Sequence, residues 1–162
     1  MYKEAIRPVW AEINLSNLDY NIKNIKAKLG SGTKIIGVVK ADGYGHGSVK
    51  VAEVLRANGV DTFAVSTLQE AIVLREVGAT EQIISLSLTP DFYSRVLVEY
   101  DITPVINSLE NARAISKTAA EAGKTVSGFI TADTGMGRIG YLTWDKNAIS
   151  EIKEISQLPN FK

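Results

Sequence analysis

Lys40 is the residue whose position in this 162-residue chain best suits chemistry. It closes the apolar run 35–39 and opens the glycine-rich loop 41–47. Such a run, bounded by turn residues, predicts a strand buried on both faces, and α/β folds keep their active sites at the carboxyl ends of these strands. A partly desolvated lysine there is a candidate Schiff-base nucleophile or base. Taken alone, a lysine at the end of a strand is better explained as a side chain whose ammonium group extends into water. The glycine-rich loop that follows, with Tyr44, makes the chemical role the favoured interpretation.

The loop after Lys40 has the composition of a ligand-binding loop. Glycines at 43, 45 and 47 allow close backbone approach to a ligand, and the start of the next helix can hold an anion. No Gly-Lys-Ser/Thr follows, so the loop is not a Walker A motif. Tyr44 has two equally favoured interpretations, contact with an aromatic cofactor or packing on the rim of the fold. For His46 we favour a structural role.

A second glycine-rich loop spans residues 133–140 and carries Arg138. It contains a formal G-x-G-x-x-G, but no helix opens at Gly140 and no acidic residue follows at the spacing that dinucleotide binding needs. Arginine suits bidentate capture of a carboxylate. The alternative, an arginine that is solvated or paired with Asp133, is slightly favoured by spacing alone.

Composition excludes several classes of function. The formal net charge is zero and the pI about 6.6, which argues against nucleic-acid binding. There is no cysteine and one histidine, so we expect no disulfide, thiolate or multi-histidine metal site. No apolar stretch approaches the ~20 residues of a membrane span, and no signal peptide is expected, so the prediction is a cytoplasmic protein. Three charged residues of the second repeat are expected on a solvated helix face: Glu70, Arg75 and Glu76.

The elements that position these loops follow a repeating pattern. Segment 9–15 alternates apolar and polar residues and predicts a strand, after which Ser16 and Asp19 predict a helix start. Five βα units follow, with strands predicted at 35–39, 62–65, 82–88, 102–106 and 125–131. Their helices are predicted near 48–57, from a capping box at 66–69, from Pro90, from an Asn107 cap, and over 145–155 with Ile149, Ile152 and Ile155 on one face.

Repeated βα units imply a parallel sheet, either doubly wound or part of a (β/α)₈ TIM-type barrel. A barrel needs eight units and typically ~250 residues. The chain ends after about five units, so we expect an incomplete barrel whose edge strands need cover.

Two stretches resemble the signatures of a known family. Residues 38–47 resemble the pyridoxal-phosphate lysine motif of alanine racemases, and residues 133–140 are similar to a second motif of that family. Segments 10–15 and 63–71 also fit. The resemblance covers essentially the whole chain, which predicts that residues 1–162 form the N-terminal part of the pyridoxal-phosphate-binding barrel domain.

The resemblance implies specific roles and a larger assembly. Lys40 would bond covalently to pyridoxal 5'-phosphate and exchange a proton, Tyr44 and Leu86 would contact the cofactor, and Arg138 would bind the substrate carboxylate. The family adds a β-rich C-terminal domain and forms a homodimer that racemises alanine, supplying D-alanine for peptidoglycan. Alternatives are a serine or broad-specificity racemase, or a pyridoxal-phosphate-binding fragment without activity alone.

Two departures from the family pattern stand out. Asp42-Gly43 replaces the commoner Asn-Ala. Thr131 occupies the position where many members carry a lysine that becomes carbamylated and orients the arginine. Threonine cannot do this, so either Arg138 is oriented differently from the family pattern or another group maintains its orientation.

Overall fold

A computed structural model describes residues 9–162. The strand predicted at 9–15 is wrong, because residues 9–14 form no regular element and helix α1 spans Leu15–Ala27. Asn14 explains the earlier start. It lies in the extended region, and its side chain accepts a hydrogen bond from the N–H of Asn17 at 3.0 Å, so Asn14 caps the helix in place of Ser16.

The fold is α/β, with five parallel strands that pair in the order in which they occur along the chain. This confirms the predicted series of βα units, although the first, third and fifth strands are shorter than expected. Val126, which was predicted to belong to the fifth strand, instead forms an isolated parallel bridge with Phe161. The strands are β1 Ile36–Val38, β2 Thr62–Val65, β3 Gln82–Ser85, β4 Ile102–Ile106 and β5 Phe129–Ile130.

Helices connect the strands over one face of the sheet. Two short parallel strands, β6 Ala132–Asp133 and β7 Tyr141–Leu142, also flank the loop that carries Arg138. In the described residues no helix is long and apolar enough to cross a membrane. The helical elements are the single turn α2 Lys40–Tyr44, α3 Ser48–Ala57, α4 Leu68–Glu76, the 3-10 turn Asp91–Tyr93, α5 Ser94–Glu99, α6 Leu109–Glu121 and α7 Ala148–Ile155.

Three details of the predicted helices are wrong: two caps are displaced by one residue, and one isoleucine was assigned to the wrong face of its helix. Thr67, not Ser66, caps α4, and Glu70 completes the capping box. Ser108 caps α6 in place of Asn107, because its hydroxyl accepts the N–H of Asn111. Ile149 is 69% exposed and does not share the buried face of α7.

The core lies between the sheet and its helices. Its fully buried members include Phe63, Leu74, Ile83, Ile102, Ile106 and Ile115. The face of the sheet that points away from the helices is called the inner face. In the described residues it carries one small apolar cluster of Ala64, Ile84 and Val105, against which Ile139 packs. The prediction that β1 is buried on both faces is therefore wrong: Ile36 and Val38 are 49% and 44% exposed on the inner side.

Candidate active site

Lys40 follows β1 after one intervening residue, Val39, at the carboxyl end of the parallel sheet. Its side chain is half-buried. The Nζ atom lies 5.8 Å from the centroid of the Tyr44 ring, within the range of a cation–π contact. Tyr44 itself is 61% exposed, so its ring forms an open surface beside the amine.

The backbone after Lys40 makes one left-handed turn. Ala41, Asp42, Gly43 and Tyr44 have φ values of 50°, 52°, 62° and 55°. Only glycine adopts this conformation freely, and each of the other three residues costs on the order of 1–2 kcal/mol. Strain of this kind persists only where surrounding contacts fix it, and it is concentrated at functional sites.

Asp42 supplies one set of those contacts. Its side chain accepts the N–H of Ser48 at 2.7 Å, which ties the turn to the start of α3. Its carbonyl accepts the N–H of Gly47 at 2.8 Å, and the N–H of Gly43 donates to the carbonyl of Val39 at 2.9 Å. The turn is thus bonded to the elements on both sides of it.

Glu70 supplies the other set, which the sequence did not reveal. One carboxylate oxygen accepts the N–H of Ala41 at 2.8 Å, and the other accepts the N–H groups of Ser66 and Thr67 at 2.7 and 3.1 Å. Burial raises the pKa of the Glu70 carboxyl, but these three donors and the charge of Lys40 outweigh it and lower that pKa. The predicted solvated helix face is therefore wrong for Glu70.

The same prediction is wrong for Arg75, at the other end of α4. Its guanidinium is partly buried and donates to the carbonyl oxygens of Tyr100, Ala79, Glu81 and Asp101 at 2.7–2.8 Å. Arg75 thus connects the two loops that precede β3 and β4, at the end of the sheet opposite to Lys40. The third of these charged residues, Glu76, is exposed as expected.

The contacts of His46 are those of a structural residue, in line with the role that the sequence favoured. Its Nδ1 atom is 3.0 Å from the carbonyl oxygen of Gly43 and 3.2 Å from that of Tyr44. These contacts tie the ring to the end of the left-handed turn. Among the described residues, no three histidine, cysteine or acidic side chains are grouped as metal ligands would be.

Asp133 organises the loop that presents Arg138. The buried carboxylate accepts the N–H groups of Gly135 and Gly137 at 2.8 and 3.0 Å. Hydrogen bonds from the backbone N–H groups of Gly137, Gly135, Met136 and Arg138 lower the pKa of the Asp133 carboxyl. They outweigh burial, which raises that pKa. Arg138 is exposed and makes no ion pair with Asp133 in the described residues.

The Arg138 loop lies over the inner face of the sheet. Ile139, the next residue, packs there against the cluster of Ala64, Ile84 and Val105. The loops that carry Lys40 and Arg138 therefore both follow carboxyl ends of parallel strands and share one end of the sheet. An exposed cationic fork at this end can bind a carboxylate.

Two further predicted positions lie at the same end. Leu86 immediately follows β3, is 37% exposed, and donates its N–H to the carbonyl of Val65 at 2.8 Å. The Thr131 hydroxyl donates to the carbonyl of Ile106 at 3.0 Å, so it is bonded to the neighbouring strand. Within the arginine loop the Asp133 side chain supplies the contacts described above, and at the base of the loop the Thr131 carbonyl accepts the N–H of Tyr141 at 2.8 Å.

Comparisons with known proteins give the family. The family described as alanine racemase, N-terminal domain, matches residues 13–162. The chain is 47% identical to the alanine racemase of Clostridium kluyveri over 98% of its own length and 40% of that protein's. It is 44% identical to the alanine racemase of Clostridium tetani over 100% of its length and 41% of that protein's. The chain thus spans about two fifths of the length of these curated relatives.

Solved structures agree with the sequence matches. The structure of the Clostridium difficile 630 alanine racemase superimposes with a TM-score of 0.92 at 40% identity, over 96% of this chain and 41% of that one. A structure described as histidine racemase from Leuconostoc mesenteroides superimposes with a TM-score of 0.79 at 28% identity, over 92% of this chain and 40% of that one. The family model covers nearly the whole chain, curated relatives match it at 44–47% identity, and the fold superimposes on a solved alanine racemase, so the chain belongs to the alanine racemase family.

Proposed function

We propose that the protein to which this chain belongs is a pyridoxal 5'-phosphate-dependent racemase that interconverts L- and D-alanine. The observation that carries the proposal is Lys40, a half-buried lysine at the carboxyl end of β1, with its amine over an open tyrosine ring. A primary amine beside an exposed aromatic face fits a cofactor that has both an aldehyde and an aromatic ring. The names of the relatives support alanine as the substrate.

Each residue of the site is assigned a proposed role that follows from its chemistry. When bound, pyridoxal phosphate acts as an electron sink that acidifies the Cα–H bond of an amino acid. Lys40 would hold the cofactor through Nζ and exchange the proton on one face of Cα at that same atom. Tyr44 and Leu86 would contact the cofactor, and the Arg138 guanidinium would bind the substrate carboxylate.

Racemisation needs a base on each face of Cα, and Lys40 serves one face. The other base is proposed to be a tyrosine from the β-rich domain of a partner subunit in a homodimer. We also propose a cytoplasmic location and a role in supplying D-alanine for peptidoglycan.

A second candidate function is racemisation of a different or wider set of amino acids. The likeness to a structure described as histidine racemase favours it, because the backbone of this region is shared with a protein named for another substrate. A third candidate is a fragment that binds pyridoxal phosphate and has no activity alone.

The test is a titration of the purified chain with pyridoxal phosphate, followed by absorbance and then by borohydride reduction and mapping of the modified lysine. Label on Lys40 that is lost in Lys40→Ala supports the proposal. Lys50→Ala is the matched control, because Lys50 is an exposed lysine ten residues away that pairs with Glu53. Label scattered over surface lysines would contradict it. Assays of the longer protein to which this chain belongs, with L-alanine, D-alanine, L-serine and L-histidine, then separate the first two candidates, and the absence of activity in the chain alone supports the third.

A further inference from the structure

We infer that Glu70 is a positioning residue for Lys40, which it orients by fixing the peptide group that follows the lysine. This inference rests on the proposed function and extends it to a residue outside both glycine-rich loops. Glu70 lies in the first turn of α4, 29 residues from the peptide N–H that it accepts. It does not have to touch a ligand to act.

The first argument is that the left-handed turn lacks a cap of its own. The first N–H groups of any helical turn have no partner within the turn, and a neighbouring side chain usually supplies one. Val39, which precedes the turn, makes no capping hydrogen bond through its side chain. Glu70 fills that role for Ala41 from another βα unit, at 2.8 Å. The peptide between Lys40 and Ala41 is thereby held in a strained conformation.

The second argument is that Glu70 is a rigid anchor. Its backbone N–H donates to the Thr67 hydroxyl at 3.3 Å, while its second carboxylate oxygen accepts the N–H groups of Ser66 and Thr67. Just beyond it, Ala71 and Leu74 fasten the helix to the core, and both are fully buried. A carboxylate fixed at both oxygens transmits the position of α4 to the peptide it holds.

The third argument is the direction of the lysine. The α-carbon of Lys40 is bonded directly to the peptide that Glu70 fixes, and Tyr44 lies at the end of the same turn. In this left-handed form of the turn, Nζ lies 5.8 Å from the centroid of the tyrosine ring. Loss of the Glu70 contact therefore frees both the amine and the ring.

The experiment compares Glu70→Gln with the original chain and with Glu76→Gln, a matched control because Glu76 is exposed at the far end of the same helix. Lysines are reductively methylated with ¹³C-formaldehyde, and the methyl signal of Lys40 is assigned with Lys40→Arg. In the original chain the Tyr44 ring should displace this signal from those of exposed lysines, and Tyr44→Ala should abolish the displacement. Amide hydrogen exchange at Ala41 is measured in parallel.

We expect Glu70→Gln to lose most of the Lys40 displacement and to speed exchange at Ala41 about tenfold or more, since a charge-assisted hydrogen bond is lost. Glu76→Gln should change neither. Capture of pyridoxal phosphate on Lys40 should also slow in Glu70→Gln alone. If circular dichroism shows that Glu70→Gln is unfolded, Glu70→Asp takes its place, because it keeps the charge in the first turn but is one methylene shorter.

An unchanged Lys40 signal in a folded Glu70 variant would overturn the inference, whatever happens at Ala41. Faster exchange at Ala41 with the same signal and the same rate of cofactor capture would also overturn it, since Glu70 would then only cap the turn. The methyl and exchange measurements need no cofactor. If the original chain takes up no pyridoxal phosphate on Lys40, the proposed function fails while these two measurements still decide whether Glu70 orients the lysine.

Discussion

Gly140→Ala should disrupt the loop that presents Arg138. Gly140 has a φ of 116°, which side chains rarely adopt. A Cβ atom there would lie 2.8 Å from the backbone nitrogen of Asp133 and 2.9 Å from the carbonyl oxygen of Thr131. Both are backbone atoms of the adjoining strand segment, so neither can rotate away as the end of a flexible side chain could.

Gly135 is the matched control for this change. It belongs to the same loop and has a φ of 125°, but no heavy atom lies within 4 Å of the added Cβ. Gly135→Ala therefore measures the cost of conformation alone, on the order of 1–3 kcal/mol. Gly140→Ala carries that cost together with crowding, which adds about 1–3 kcal/mol. The difference between the two variants should accordingly be about 1–3 kcal/mol.

Urea unfolding followed by circular dichroism gives the two free energies of unfolding. Amide exchange at Tyr141, whose N–H donates to the carbonyl of Thr131 at 2.8 Å, reports whether the strain is relieved locally instead. We expect Gly140→Ala to lose stability or protection at Tyr141, and Gly135→Ala to keep that protection. Equal effects of the two variants on both measurements would refute the steric argument.

Three further predictions concern the core and two titratable groups. Leu74 is fully buried, so Leu74→Ala should lower the free energy of unfolding, measured with urea, by about 2–5 kcal/mol. Val77 is exposed, so Val77→Ala should change that free energy by no more than about 0.5 kcal/mol. The lowered pKa of Glu70 means that its stabilisation is present above its ordinary pKa of 4.5 and is lost as the pH falls through the lower folded value. Glu70→Gln should therefore flatten the loss of stability in acid. Burial and then the hydrogen bond to Glu151 raise the pKa of Tyr141 to about 12. An ultraviolet titration should show one tyrosine ionising there, absent in Tyr141→Phe, and stability should fall as the pH rises from 10 toward 12.

The repeating part of the fold was predictable because its signals are local. Apolar runs marked the strands at 62–65 and 102–106 at their true bounds, and the helix at Ser48–Ala57 was likewise placed correctly. The leader was mistaken because apolar alternation at 9–15 is typical of a strand, while the decisive feature is the Asn14 cap that begins a helix. Alternation cannot show whether a segment finds a neighbouring strand to pair with.

The places of Lys40 and Arg138 in the fold were predictable, but the contacts that fix the turn after Lys40 were not. Lys40 and Arg138 stood out because each follows a strand and lies in a loop rich in glycine. Nothing local to Ala41, Asp42 and Tyr44 indicates positive φ values, since their intrinsic preferences oppose them. Contacts from Glu70 and from the N–H of Ser48 stabilise that conformation, and such long-range contacts leave no periodic pattern. The acidic position in the capping box at Thr67 was the one available sign of Glu70.

The pairing of strands in chain order has a consequence for synthesis. Each strand from β2 to β5 bonds to one that left the ribosome 19–26 residues earlier, as in the pairs Ile83 with Ile102 and Ile36 with Thr62. Among the five described strands, each pairs with the strand that precedes it, so this part of the sheet can grow by one βα unit at a time as the chain emerges, and its contacts remain short in sequence. Lys40 and its anchor Glu70 belong to the first two units. The contacts that fix the amine can therefore form before the later βα units have emerged.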